Sequence, residues 1–387
     1  MIRNLLVAAI LLCFCGCGGG TEPSPVEPDM DALRSLPYAG AADGSSDDPA
    51  GVLIHRRDRA WPGLNLVTVQ MLARADLLDM NGEVVRSWAM DGGGRWERAR
   101  MLPDGGIAVV GVDPVQVSWI PDHARYIARF DADGTLLWKK QINAHHDIAP
   151  AGQGGLAVLT YRRRLVPEIH PSIDVRDDQI TTMDGDGNTI DVISLLDAIG
   201  ARQDVFRLQG SGPNSMGGRP WIDLFHTNSL MQSADGKLLL LCFRHQDRIA
   251  IIDLSRREAV WSWGIGVLSG PHDAQWLEDG HILVFDNGLA RGWSRVLEID
   301  PASGRIVWTY GDSGPDRFFT LSKGSAQRLP NGNTLIADSD NGRAFEVTAE
   351  GETVWEYATP HRVEDGRRAA IVRIRRIEAD LSPRSTP

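Results

Sequence analysis

An acidic or polar turn followed by a short apolar run ending in tryptophan recurs along the chain, and no other feature restricts the fold as tightly. The copies are Asp79 to Gly82 with Val85 and Trp88, Asp131 to Gly134 with Leu137 and Trp138, and Asp184 to Gly187 with Ile190. Further along come Asp253 with Val260 and Trp261, Asp300 and Gly304 with Val307 and Trp308, and Glu350-Gly351 with Val354 and Trp355. The step is about 50 residues, stretched once by an insertion around 194–225. A second phrase alternates with the first, carrying Asp-Gly or Asn-Gly at Gly105, Gly236, Gly280 and Gly332, with a weaker copy at Gly154-Gly155. Such dipeptides between alternating apolar runs are hairpin turns.

Each period therefore holds four strands. In 271–310 they are expected at 271–277, 281–286, 294–300 and 304–310. Four-stranded units repeated six times predict an all-β, six-bladed β-propeller. The first unit lacks its innermost strand and begins at Leu64–Gln70, while an orphan run, Ile371–Glu378, follows the sixth unit. The orphan is expected to complete blade one, closing the ring and removing an exposed edge.

The propeller is assigned to 60–378. Ahead of it, residues 1–17 have the pattern of an export signal: Arg3, an apolar run from Leu5 to Leu12, then Gly16-Cys17. This resembles a bacterial lipobox, with Cys17 as the lipidated residue and a lipid anchor in the membrane. Residues 18–59, rich at first in Gly, Pro, Ser and acids, are expected to be a flexible tether, and 379–387 a disordered tail. An exported protein, periplasmic or at the cell surface, follows. Cys242 is then the only cysteine left in the mature domain, flanked by Leu240, Leu241 and Phe243, and reads as a buried, inert thiol. The net charge of −11 argues against a nucleic-acid partner. The run Arg162-Arg163-Arg164 is too short to alter that.

Propeller geometry says which face carries chemistry. The tight Gly turns all fall on one face. The long connections Gly111–Ala124, Tyr161–Asp177, Ser194–Phe225 and Gly311–Ser322 fall on the other, and loops of such length usually bind something. The inner strands start on that second face. Aligned on their turns, their first positions are Glu97, His146, Asn228, His272 and Gly324, with His226 two residues before Asn228. Arg244 ends the second strand of the His226 blade at the same mouth. Histidines at matched positions of consecutive blades, beside an arginine, point to a functional site at the axis. His145, by strand alternation, is expected to face away from His146. Trp119, Trp221, Trp293, Phe318 and Phe319 are placed to meet an aromatic ligand, or equally to pack the loops.

Several stretches resemble the bacterial arylsulfate sulfotransferases: His145-His146-Asp147, Asp223 through His226 to Ser229, Phe243-Arg244-His245-Gln246, and His272-Asp273 with Asp286-Asn287-Gly288. The resemblance covers roughly residues 60–378. It implies transfer of a sulfuryl group from a phenolic sulfate donor to a phenolic acceptor through a sulfated histidine, without PAPS or another cofactor. By that resemblance His272 is the nucleophile, His226 and Arg244 hold sulfuryl oxygens, Asn228 is a further ligand, and His146 moves the proton. The residue chemistry agrees. Neutral imidazole is a competent nucleophile near pH 7, and Arg with His supplies donors for spreading negative charge. Two other readings compete: a non-catalytic, lipid-anchored scaffold or ligand-binding propeller, and a metal-dependent hydrolase with His146, His226 and His272 as a three-histidine zinc site.

Overall fold

The computed structural model describes residues 48–115, 122–214, 220–312, 314, 317–363 and 366–378. Cys17 and Trp119 lie outside them. Six sheets, antiparallel but for one added strand in the third, follow one another round an axis. Blade five has strands His272–Trp276, Ile282–Asp286, Arg295–Asp300 and Arg305–Tyr310, each within one residue of its expected limits. Blade one is completed by Ile371–Ile377, which pairs antiparallel with Leu64–Val69, so the ring closes as expected.

The recurring acidic turn has a physical role. Asp79 Oδ1 accepts from the N–H groups of Asn81 and Glu83 at 2.8 and 2.9 Å, and Gly82 takes φ +86°. Asp131 and Asp184 repeat the arrangement with Gly134 and Gly187. The side chain thus mimics a backbone turn while glycine supplies the left-handed residue.

The tryptophans explain the other half of the repeat. The indole N–H of Trp88 in blade one donates to Asp131 O in the outer turn of blade two, at 2.9 Å. Trp138 donates likewise to Gly185 O, Trp261 to Pro301 O and Trp308 to Ala349 O. Trp355 of blade six donates to Met80 O of blade one, at 3.0 Å, across the closure. Blade three has Ile190 in place of tryptophan. There Arg257 of blade four spans the gap to Asp191 and Val192 O instead. Each such bond is worth about 1 kcal/mol. Between the sheets, apolar side chains such as Leu77, Trp96, Tyr126, Phe285 and Phe345 are fully buried.

Three expectations about connections change. Residues 51–55, assigned to the tether, form a strand that pairs with Thr353–Ala358 as a fifth strand of blade six. Tyr161–Asp177 is mostly not loop, since Gly155–Leu165 and Asp174–Met183 stay paired out to Leu165 and Asp174. The insertion after Ser194 holds a short helix, Leu195–Gly200, capped by the Ser194 hydroxyl, and a strand, Trp221–Asp223, that runs parallel to the third strand of blade three. Extra pairing partners absorb backbone groups that a free loop would leave to water.

A chain ending before Ile371 is expected to lose its cooperative thermal transition, because Leu64–Val69 would then present an unpaired inner edge. A truncated chain with an unchanged melting curve would contradict ring closure as the stabilising contact.

Candidate active site

Five of the inner strands share one irregularity at the same level. Pairing with the second strand skips one residue around Val372, Glu97, Asn228 and Asp273 in blades one, two, four and five. In blade three, His145 N–H donates to Leu159 O while Leu159 N–H donates to Asp147 O, leaving His146 as the extra residue with φ +55°. Such bulges re-aim side chains. In blade six the level is held by Gly324, φ +118°, where an added Cβ would meet the Phe285 ring at 2.2 Å.

The result is one axial pocket of about 490 Å³, its opening included. All five aligned positions, Glu97, His146, Asn228, His272 and Gly324, line it. His226 and Arg244 adjoin it: the His226 ring lies 4.9 Å from that of His146, and both His226 and Arg244 act electrostatically on His272.

The hydrogen bonds fix a tautomer for each histidine. His272 Nδ1 lies 2.7 Å from Asn287 Oδ1 and 3.2 Å from Gly270 O. The Asn287 amide cannot be reversed, because its Nδ2 donates to Thr320 O and Lys323 O. His272 therefore carries its proton on Nδ1, and Nε2 keeps its lone pair. His226 Nδ1 donates to Asp223 Oδ2 at 2.6 Å, with the same consequence. His145 is not turned away from His146, as alternation suggested: their Nδ1 atoms are 2.8 Å apart, because the left-handed backbone of His146 breaks the alternation. His145 Nε2 lies 3.2 Å from Thr160 O, so it carries the proton there. Its Nδ1 then accepts from His146 Nδ1, which leaves His146 Nε2 unprotonated. Asn228 donates through Nδ2 to Pro271 O, and its Oδ1 has no partner among the described residues.

Burial sets the charge state. It pushes the His272 pKa down to about 3, assisted by the Arg244 charge. His226 falls to about 3 through burial, against the pull of Asp223. His146 lies well below its ordinary value through burial, then through His226 and His145. All three are neutral at pH 7.

Among the described residues, Asp223, His226 and His245 form a group whose ligand atoms all lie within 4.8 Å of one another. His146, His226 and His272 do not form such a group, so the three-histidine zinc arrangement lacks the convergence it requires.

Sequence reasoning missed Arg98, Ser322, Lys323 and Arg373, which also line the pocket, and Asn287, which orients His272. The alternations Arg98-x-Arg100 and Arg373-x-Arg375 on inner strands were the available signal. Of the aromatic candidates, Phe318 is a core residue packed on Phe285 and Phe345. The guanidiniums of Arg163 and Arg317 lie against Trp221 and Trp293, and Phe319 is exposed.

Residues 123–360 match the family model described as arylsulfotransferase (ASST). The chain belongs to that family. No curated protein sequence matches this arylsulfotransferase-family chain. Its fold is similar to that of a protein of unknown function from Bacteroides caccae, with 14% identity, TM-score 0.55, and 81% of this chain and 98% of that one covered. The periplasmic gluconolactonase of Pseudomonas aeruginosa aligns at 14% identity and TM-score 0.49, covering 82% of this chain and all of that one (100%).

The buried neutral histidines of this family member predict how its stability varies with pH. His145, His146, His226, His245 and His272 all titrate below 6.5 when folded. The unfolded chain binds protons as pH falls through 6.5 and the folded chain does not, so stability is lost from there down toward pH 3. Asp178, raised by burial to about 6, and Asp338, raised by burial to about 7, work in the opposite direction. His55 is lowered as well, and the raised His281 and Asp247 join the opposing side. With six groups against four, the urea midpoint should be lower at pH 5 than at pH 7. A higher midpoint at pH 5 would contradict these assignments.

Proposed function

We propose that this ASST-family chain is an aryl sulfotransferase that moves a sulfuryl group from a phenolic sulfate ester to a phenolic acceptor by way of a sulfated His272. The observation that carries the reading is the fixed His272 tautomer, with Nδ1 tied to Asn287 and Nε2 left as a neutral lone pair in a pocket. In the first half-reaction His272 Nε2 attacks sulfur, the N–S bond forms, and the S–O bond to the aryl group breaks. The phenolate departs with that electron pair as the anion. In the second half-reaction the unprotonated His146 Nε2 accepts the acceptor phenol's proton as its oxygen attacks sulfur, the N–S bond breaks, and His272 regains its lone pair; His146 then passes the proton to the departed phenolate or to solvent. One proton and one sulfuryl group pass through, with no net change in the protein.

Arg244 supports the charge on the sulfuryl oxygens, and Asn228 adds the Nδ2 hydrogen not used on Pro271 O. His226 joins them once the anionic donor draws a proton onto its Nε2, a change that Asp223 at 2.6 Å favours. Burial of these groups strengthens each electrostatic contact. The donors and acceptors are small phenolic esters and phenols, as membership of the arylsulfotransferase family suggests.

Incubation with a chromogenic phenyl sulfate and a phenol tests the assignment. His272→Ala should remove nearly all turnover with the fold intact, since no other group completes the covalent step. Arg244→Lys should lower turnover by about 10²-fold, because an ammonium cannot reproduce the planar fork. Undiminished turnover in His272→Ala would overturn the reading.

Export and lipid anchoring at Cys17 complete the proposal, motivated by Gly16-Cys17 after the apolar run. Mass spectrometry of the N-terminal peptide from native membranes should find a diacylated Cys17. An unmodified Cys17 would rule the anchor out.

A further inference from the structure

Below the histidines, the axis holds more positive charge than its own carboxylates balance. Four arginines from two inner strands, Arg98, Arg100, Arg373 and Arg375, meet two carboxylates, Asp147 and Asp273. Arg98 Nε lies 2.8 Å from Asp147 Oδ1, and Arg373 NH1 lies 2.6 Å from Asp273 Oδ1 and 3.4 Å from Asp147 Oδ2. Arg98 is 1% exposed, and its NH1 has no hydrogen-bond acceptor among the described residues. Both Arg98 and Arg373 line the pocket. The carboxylate that lines the pocket wall, Glu97, is committed to Arg125 through both oxygens, at 3.2 and 3.0 Å.

Uncompensated charge in a low-dielectric interior is strongly unfavourable unless a counter-charge arrives. A planar guanidinium with unused N–H groups selects an oxyanion, because its fork matches two oxygens of a tetrahedral centre. The backbone here is fixed by the closing strand, so the cradle exists before the ligand.

We propose that Arg98 and Arg373 form an oxyanion site in the wall of the axial pocket, filled by a tetrahedral sulfur oxyanion, either free sulfate or the sulfuryl end of an ester. The inference adds two ligands to the sulfotransferase reading in the ester case, but stands on buried charge and geometry, not on turnover. Asp147 and Asp273 hold the two guanidiniums in place. Arg98 offers NH1 to the anion, and Arg373 contributes charge from the inner strand of the neighbouring blade.

Calorimetric titration with sodium sulfate, at ionic strength held constant with sodium chloride, should show saturable binding. Arg98→Gln should weaken that affinity by about tenfold or more. Because Arg98→Gln also frees a buried carboxylate, a second measurement uses the wild-type chain: crystals soaked in selenate should give an anomalous peak between Arg98 and Arg373. Benzenesulfonate, which has no transferable group, separates the sources. If it displaces sulfate, the site takes the sulfuryl end of esters; if it does not, the site takes the free anion. Absence of a selenate peak between the two arginines, or an affinity for sulfate unchanged by Arg98→Gln in a folded variant, overturns the proposal. Turnover of a phenyl sulfate without that peak would defeat this site alone, and a peak without turnover of any aryl donor would defeat the transferase reading alone.

Discussion

The carboxylates of Asp147 and Asp273 each follow a pocket histidine directly in sequence, and both are clasped by arginines of other blades. Arg373 on the closing strand reaches both of them, Arg98 reaches Asp147, and Arg375 reaches Asp273. Asp147 Oδ2 also accepts Leu230 N–H of blade four, and Asp273 Oδ2 accepts Ala326 N–H of blade six. The segments carrying His146 and His272 are thereby tied to each other through the last strand of the chain. Removing one member of such a buried pair typically costs about 3–5 kcal/mol, because the other charge is left unpaired. Ring closure and placement of the site are thus a single physical event.

That arrangement also decides the chemistry available. A ring of backbone and charge fixes the imidazoles before any ligand arrives, so little reorganisation is required at the moment of reaction. Each histidine has one nitrogen committed: to Asn287 for His272, to Asp223 for His226, to His145 for His146. Burial keeps the rings neutral before a ligand arrives, which suits a nucleophile and a proton acceptor. Before any protonation of His226, the positive charge near the pocket comes from permanent cations, Arg244 beside His272 and the arginines that line the wall. In the proposed reaction the neutral nucleophile and the permanent cations are separate side chains, so neither function compromises the other.

Much of this was legible in the sequence because propeller repeats are local. The Gly turns and terminal tryptophans marked the blades, and alignment on the turns brought Glu97, His146, Asn228, His272 and Gly324 to one level, where they line one pocket. What alignment could not convey was the bulge. One extra residue in five of the six inner strands alters which side chains face the axis, so His145 meets His146 although alternation sends it away. Arg98 and Arg373 were hidden for the same reason, since each directly follows a bulged residue. Asn287 was visible only as part of a motif, because its role depends on two carbonyls, of Thr320 and Lys323, from another blade. The strand at 51–55 is short and gains its stability from an edge some 300 residues away in sequence, as its pairing of Gly51 with Ala358 shows.

The account rests on His272 as the group that receives the sulfuryl. Incubation of the purified protein with an aryl sulfate and no acceptor, followed by peptide mass spectrometry under conditions that preserve the N–S bond, addresses this directly. The account predicts one added sulfuryl group on the peptide containing His272, discharged when a phenol is then supplied. Sulfation confined to another residue, or rapid donor turnover with no covalent protein species formed, would contradict it.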